Sequence, residues 1–238
     1  KILTSSRYLT AGGDERERVT RFTNRLRNNV DILNAGQKER LIILEARLLQ
    51  GVHKFEQAKQ HLSQITHYRS PAAQLLLADI NIQQGNTEQA KHYCEQLVGQ
   101  TSFLIAFTCM VNADFSEKKD AKLLEKLNAF ETYTSAARPD EKQWFYEVLA
   151  DMSLQLGNAE EAIRYLNQTA FNALPISALL VWAEAHFKLG KFDTITNTLA
   201  AAVSDISTVD DGLLLKWAKA ERAQGITSSN VQSRLAKN

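Results

Sequence analysis

Residues 146–169 read YEVLADMSLQLGNAEEAIRYLNQT, and the apolar positions change phase at one point in that stretch. Leu149, Ala150 and Leu154 recur at helical spacing before Leu156-Gly157-Asn158, and Ala162 and Leu166 do so after it. Helical periodicity on both sides of a glycine predicts two helices joined by a tight turn. Gly157 can adopt the left-handed conformation that ends the first helix, and Ala150 and Ala162 are small enough to let the two axes approach closely. A hairpin of this kind leaves apolar faces open. Copies at a fixed period are how a chain covers them.

The same pattern returns along the chain. Aligned on Ala150, the first helices carry Ala46, Ala78, Cys109, Ala183 and Ala218, at steps of 32, 31, 41, 33 and 35 residues. The second helices carry Ala58, Ala90, Ala121, Ala162 and Ile195, at steps of 32, 31, 41 and 33. Turns recur at Gln84-Gly85-Asn86, Leu189-Gly190-Lys191 and Gln224-Gly225. Pro71, Pro139 and Pro175 fall between hairpins, where a helix start tolerates the missing N–H. The copy around Cys109 is expected to be irregular, with its turn glycine replaced near Ser116 and about eight extra residues, by comparison with the ~34-residue period, around residues 131–140.

The segments LLLADINIQQGNTEQAKHYCEQL, YEVLADMSLQLGNAEEAIRYL and LLVWAEAHFKLGKFDTITNTL resemble the tetratricopeptide repeat family, whose unit is ~34 residues of helix, turn and helix. The resemblance covers residues 38–225. It implies an all-α fold, a right-handed superhelical solenoid of antiparallel helix pairs. The expected organisation is an N-terminal segment with a capping helix at 1–36, about six hairpins over 37–227 (irregular around 103–141), and a polar cap or tail at 228–238. The order of RLIILEARLLQGVHKFEQA, ADINIQQGNTEQAKHYCEQL and FLIAFTCM is similar to uncharacterised bacterial members that are usually exported, which favours the periplasm over the cytoplasm.

Composition sharpens this picture in two places. A formal net charge of +1 lacks the strongly basic balance that a nucleic-acid partner calls for. The longest apolar runs, near residues 103–111 and 174–183, are about half the ~20 residues needed to cross a bilayer, so they read as buried helices. A helix is expected from Asp14, with Val19, Phe22, Leu26, Val30 and Leu33 on one face and Arg16, Arg18, Arg21, Arg25 and Arg27 on the other. The acids Asp14, Glu15 and Glu17 favour a solvated face on a capping helix over the alternative, a face for an acidic partner or a membrane surface. The first residue is lysine, so a processed chain is expected, with any signal peptide already removed.

Motifs for chemistry are missing from the sequence. There is no G-x-x-x-x-G-K-[ST] loop, no H-E-x-x-H, no G-x-S-x-G and no strand followed by G-x-G-x-x-G. His53, His61, His67, His92 and His186 form no standard ligand pair on one helical face. Asp210 and Asp211 read as the start of a helix. No catalytic residue, metal site or cofactor is expected, and the chain reads as a non-enzyme. Cys94 and Cys109 lack C-x-x-C spacing but face one seam between hairpins. The first reading is two buried free thiols; the other is a disulfide, which requires an oxidising compartment and alpha carbons within ~7 Å.

In the family that the chain resembles, first helices line a concave face. The register nominates Arg40, Arg47, Asp79, Met110, Trp144, Asp151, Glu184, Phe187, Lys219 and Arg222 as binding residues there, with Ile43, Leu75, Ile82, Phe103, Glu147 and Leu180 among them. Spaced charges around apolar anchors suit an extended peptide or a partner helix. The expected function is a protein-interaction scaffold. The alternatives are an enzyme or accessory subunit with a small-molecule pocket in the groove, and an interaction module of a larger protein.

Overall fold

The structure, a computed structural model, describes residues 21–236 apart from 52, 66–69, 204 and 207–208. The helix start expected at Asp14, with Arg16, Arg18 and Val19, lies outside the described residues, as does His67. Every regular element among the described residues is helical. Two units are distinguished, residues 21–148 and residues 149–236.

In the N-terminal unit, residues 21–27 are helical and a short 3-10 turn follows at Val30–Ile32. Three hairpins come next: α1 (Ala35–Gln50) with α2 (Phe55–Leu62), α3 (Pro71–Gln83) with α4 (Thr87–Gln96), and α5 (Phe103–Lys118) with α6 (Ala121–Asn128). A 3-10 turn at Glu131–Ala136 leads to α7 (Pro139–Gln155), whose first ten residues belong to this unit. The helix starts are written in the sequence. Asn34 and Gln37 close a reciprocal capping box on α1 at 2.9 Å each way. Ser70 with Pro71 opens α3, Ser102 opens α5 and Asp120 opens α6, each side chain accepting a backbone N–H.

The first two hairpins pack in the same order: a first helix lies against its own second helix, and both lie against the next first helix. Two layers of core result. Ala46, Ala58, Leu62, Ala73, Leu76 and Ile80 form one, and Ala78, Ala90, Cys94, Leu97, Ile105, Ala106, Cys109 and Ala113 the next. In the C-terminal unit the rest of α7 pairs with α8 (Ala159–Leu166), α9 (Ile176–Lys188) with α10 (Phe192–Ala202), and α11 (Asp211–Ala223) with α12 (Asn230–Leu235). Ala150, Ala162, Ala183 and Ile195 are fully buried there, and Ala218 nearly so. Asp210 caps α11, accepting from Gly212 N at 2.9 Å and Leu213 N at 3.4 Å.

The turns correct the register of one hairpin. Besides Gly99, which precedes the third hairpin, left-handed residues occur at the hairpin turns, at His53, Gly85, Lys119, Gly157, Gly190 and Gly225, in steps of 32, 34, 38, 33 and 35. Five of the six turns share a closing bond, from Lys54 N to Leu49 O, Asn86 N to Asn81 O, Asn158 N to Ser153 O, Lys191 N to His186 O and Ile226 N to Glu221 O, at 2.8–3.0 Å. That is the six-to-one bond of a glycine-terminated helix. Around Lys119 only the shorter bond, Lys119 N to Phe115 O at 2.9 Å, is present. Counted from the left-handed residue, the places of Ala78 and Ala90 fall in the third hairpin on Asn112 and Leu124. The assignment to Cys109 and Ala121 is therefore three residues out. Ala121 is exposed, and Cys109, though buried, faces the previous hairpin. The extra length after this hairpin shrinks accordingly, to about four residues beyond the usual ~34.

Candidate binding face

Of the nominated residues, the N-terminal unit carries Arg40, Arg47, Asp79, Met110 and Trp144. Asp79 is the centre of a small polar group. Gln50 Nε2 on α1 donates to its Oδ2, and Gln83 Nε2 donates to the same oxygen from one turn further along α3, at 3.1 Å. Arg47, also on α1, is exposed to solvent, yet the protein around its guanidinium lowers its proton affinity, an effect that the Asp79 carboxylate opposes. Arginine stays charged there in any case.

Glu147 on α7 belongs to the same face. Burial pushes its carboxyl up to about 7; the hydrogen bond from Gln143 Nε2, at 2.8 Å, works against that shift and the negative charge of Asp79 adds to it. Between these polar groups Leu75, Ile82, Met110 and Trp144 pack against the core around Ala78 and Cys109. They are partly buried, so each seals the seam between hairpins and keeps an edge in solvent. Arg40 is exposed near the start of α1.

The C-terminal unit holds the other nominated residues. Asp151 accepts from Gln155 at 2.6 Å. Glu184 on α9 forms an ion pair with Lys216 on α11, bridging consecutive first helices. Phe187 packs edge-on against Phe192 across its own hairpin turn, at 5.0 Å. Lys219 and Arg222 are exposed on α11 and join no ion pair among the described residues. The register placed Glu184 but did not nominate Lys216, three residues before Lys219. The partners Gln83, Gln143 and Gln155 were also missed, although their four-residue spacing from an acid is a recognisable helical pairing signal.

Cys94 on α4 and Cys109 on α5 are joined by a disulfide, with alpha carbons 5.4 Å apart. The first reading, two free thiols, is thereby replaced by the second. Both residues are fully buried, as expected, and the bond crosses the seam between the second and third hairpins.

Elsewhere, the buried Glu45 carboxylate is held by Arg27 at 2.8 Å, with His61 Nδ1 at 3.3 Å but not aligned for a hydrogen bond. Among the described residues, no group of three or more His, Cys, Asp or Glu is placed to hold a metal ion, and no helix is long and apolar enough to cross a membrane.

No curated protein and no solved structure matches the chain. Residues 71–100, which comprise α3, its Gly85 turn and α4, match the family model of the tetratricopeptide repeat. With that hairpin as reference, the fold is all-α and tetratricopeptide-like, built of helix pairs that pack in chain order.

Proposed function

We propose that the protein is a non-catalytic interaction scaffold that takes an extended peptide or a partner helix along its first helices. The observation that carries this reading is the face of α1, α3, α5 and α7 in the N-terminal unit, where Arg47, Asp79 and Glu147 stand among the half-buried Leu75, Ile82, Met110 and Trp144. Apolar edges of this kind provide burial, and charges at fixed points set the register and polarity of the bound segment. Tetratricopeptide repeats generally mediate protein–protein interaction and are typically non-enzymatic, which supports a protein partner. A near-neutral formal charge favours protein over nucleic acid as well. The C-terminal unit offers Asp151, Phe187, Lys219 and Arg222 as further contacts, with Glu184 held by Lys216.

The reading is tested by quantitative affinity capture from the native host, comparing the wild type with an Arg40→Glu/Arg47→Glu variant of unchanged melting temperature. Partners that depend on the face are lost from the variant. The same proteins in the same yield from both baits would defeat the reading.

A further inference from the structure

Four aromatic rings meet where α5 begins and α6 ends. Phe103 and Phe107, one turn apart on α5, stack at 5.5 Å with 18° between their planes. Phe130 lies 5.6 Å from Phe103 and 4.1 Å from Phe107, and Tyr133 stacks on Phe130 at 5.3 Å and 26°. Phe107 is buried in this group, but Phe103 and Tyr133 are each 60% exposed. Val98, in the turn leading to α5, is 59% exposed. Large rings left in water side by side mark an interaction surface more often than a by-product of folding. The third hairpin's extra length supplies part of it, since the 3-10 turn Glu131–Ala136 carries Tyr133.

The rim of the patch is cationic. Lys126 Nζ lies 5.4 Å over the Phe107 ring, and Lys122 is one turn before it on α6. Both lysines are exposed, and neither forms an ion pair among the described residues. Glu125 is adjacent in sequence but points about 100° round the helix.

We propose that this patch docks an acidic, proline-rich segment in the polyproline II conformation. Phe103 and Tyr133, through their distances to Phe130, are at most 10.9 Å apart. Prolines three residues apart in polyproline II are separated by about 9 Å, a spacing that falls within this limit. Phe103 and Tyr133 each stack on one neighbour, in two stacks tilted by 40–44°, and the flat face that each leaves in solvent is one that a proline ring covers with little loss of entropy, because its conformation is already fixed. The extended backbone has no internal hydrogen bonds, so its carbonyls are open to the Tyr133 hydroxyl, which makes no hydrogen bond among the described residues. Lys122 and Lys126 call for carboxylates on the partner.

The test is fluorescence anisotropy with a fluorescein-labelled (Pro-Pro-Glu)3 peptide. Saturable binding to the wild type is expected, at least tenfold weaker in Phe103→Ala and in Tyr133→Ala and several-fold weaker in Lys126→Glu. Tyr133→Phe, which keeps the ring, should fall between Tyr133→Ala and the wild type. Lys126→Glu should also bind (Pro-Pro-Lys)3 better than the wild type does. The proposal is overturned if (Pro-Pro-Glu)3 fails to saturate at millimolar protein, or if folded Phe103→Ala and Tyr133→Ala bind it like the wild type. Tighter binding of decathymidylate would make the patch a base-stacking platform instead. A wild-type dimer in sedimentation that Tyr133→Ala converts to a monomer would make it a self-interface.

Discussion

The second and third hairpins, α3–α4 and α5–α6, share an architecture and differ in the residues that build it. The second turns on Gly85 at φ 74°, and the third on Lys119 at φ 50°. The second closes its turn with the six-to-one bond and brings Ala78 and Ala90 together, both fully buried. The third closes with the shorter bond and has the larger Asn112 and Leu124 at those places, both half-buried. The second is the hairpin that the repeat family's model matches, over residues 71–100. A helix pair thus tolerates loss of its small residues and its glycine when other contacts replace them, here the Phe115 ring under the Lys119 ammonium at 5.2 Å and a disulfide to the preceding hairpin.

The largest effect is expected from that bond. Removing it, as Cys94→Ala with Cys109→Ala, should cost about 2–5 kcal/mol, the usual range for a native disulfide. Denaturant midpoints with and without reductant check this; an oxidised wild type no more stable than the double variant would show that the bond contributes nothing.

Next comes the contrast between equivalent and misassigned positions. Ala90→Leu should overpack the α3–α4 contact and cost about 1–3 kcal/mol, while Ala121→Leu on the exposed side of α6 should stay within about 0.5 kcal/mol. Equal shifts in the unfolding midpoint would put the corrected register in question. The turns offer a smaller difference. A Cβ at Gly85 meets nothing within 4 Å, so Gly85→Ala should cost about 1–2 kcal/mol for the left-handed backbone alone. Lys119→Gly should gain less than about 1 kcal/mol, because released strain is offset by the flexibility of glycine. A destabilised Lys119→Gly would mean that the contact with Phe115 outweighs the strain.

The smallest effect tests the face rather than the hairpins. The folded protein holds the Glu147 proton more tightly than the unfolded chain does, with a value near 7 against an ordinary 4.5. This contribution to stability is present below pH 4.5 and is lost as pH rises towards 7. Glu147→Gln should flatten that part of the stability profile by a fraction of a proton, since water screens a half-buried group. Superimposable profiles for variant and wild type would exclude Glu147 as the source.

Hairpin order was legible because small residues and glycines repeat at nearly constant steps. It failed where the signal was carried by other residue types. A left-handed lysine leaves no mark in a search for glycine, so Lys119 went unseen and Cys109 and Ala121 were put three residues from their true equivalents. His53 escaped in the same way. For the proposed face, the register nominated Arg47, Asp79 and Trp144 because helical spacing alone puts them on one side. Gln50 and Lys216 reach their carboxylates from a neighbouring hairpin, about one repeat away in sequence, and local spacing cannot show such pairs. Phe130 and Tyr133 lie in or beside the length that breaks the period, where no template places a side chain.

In an array stabilised by nearest-neighbour contacts, repeats can come apart one at a time. The Cys94–Cys109 bond changes how this chain responds to pulling. Tension applied at its ends can unravel α4 and α5, but the sequence separation of 15 residues between the two cysteines stays closed as a loop. Roughly 50 Å of contour is thereby withheld from extension. Any machine that threads or stretches the oxidised protein meets a double strand at this seam, and a reductant restores the missing length.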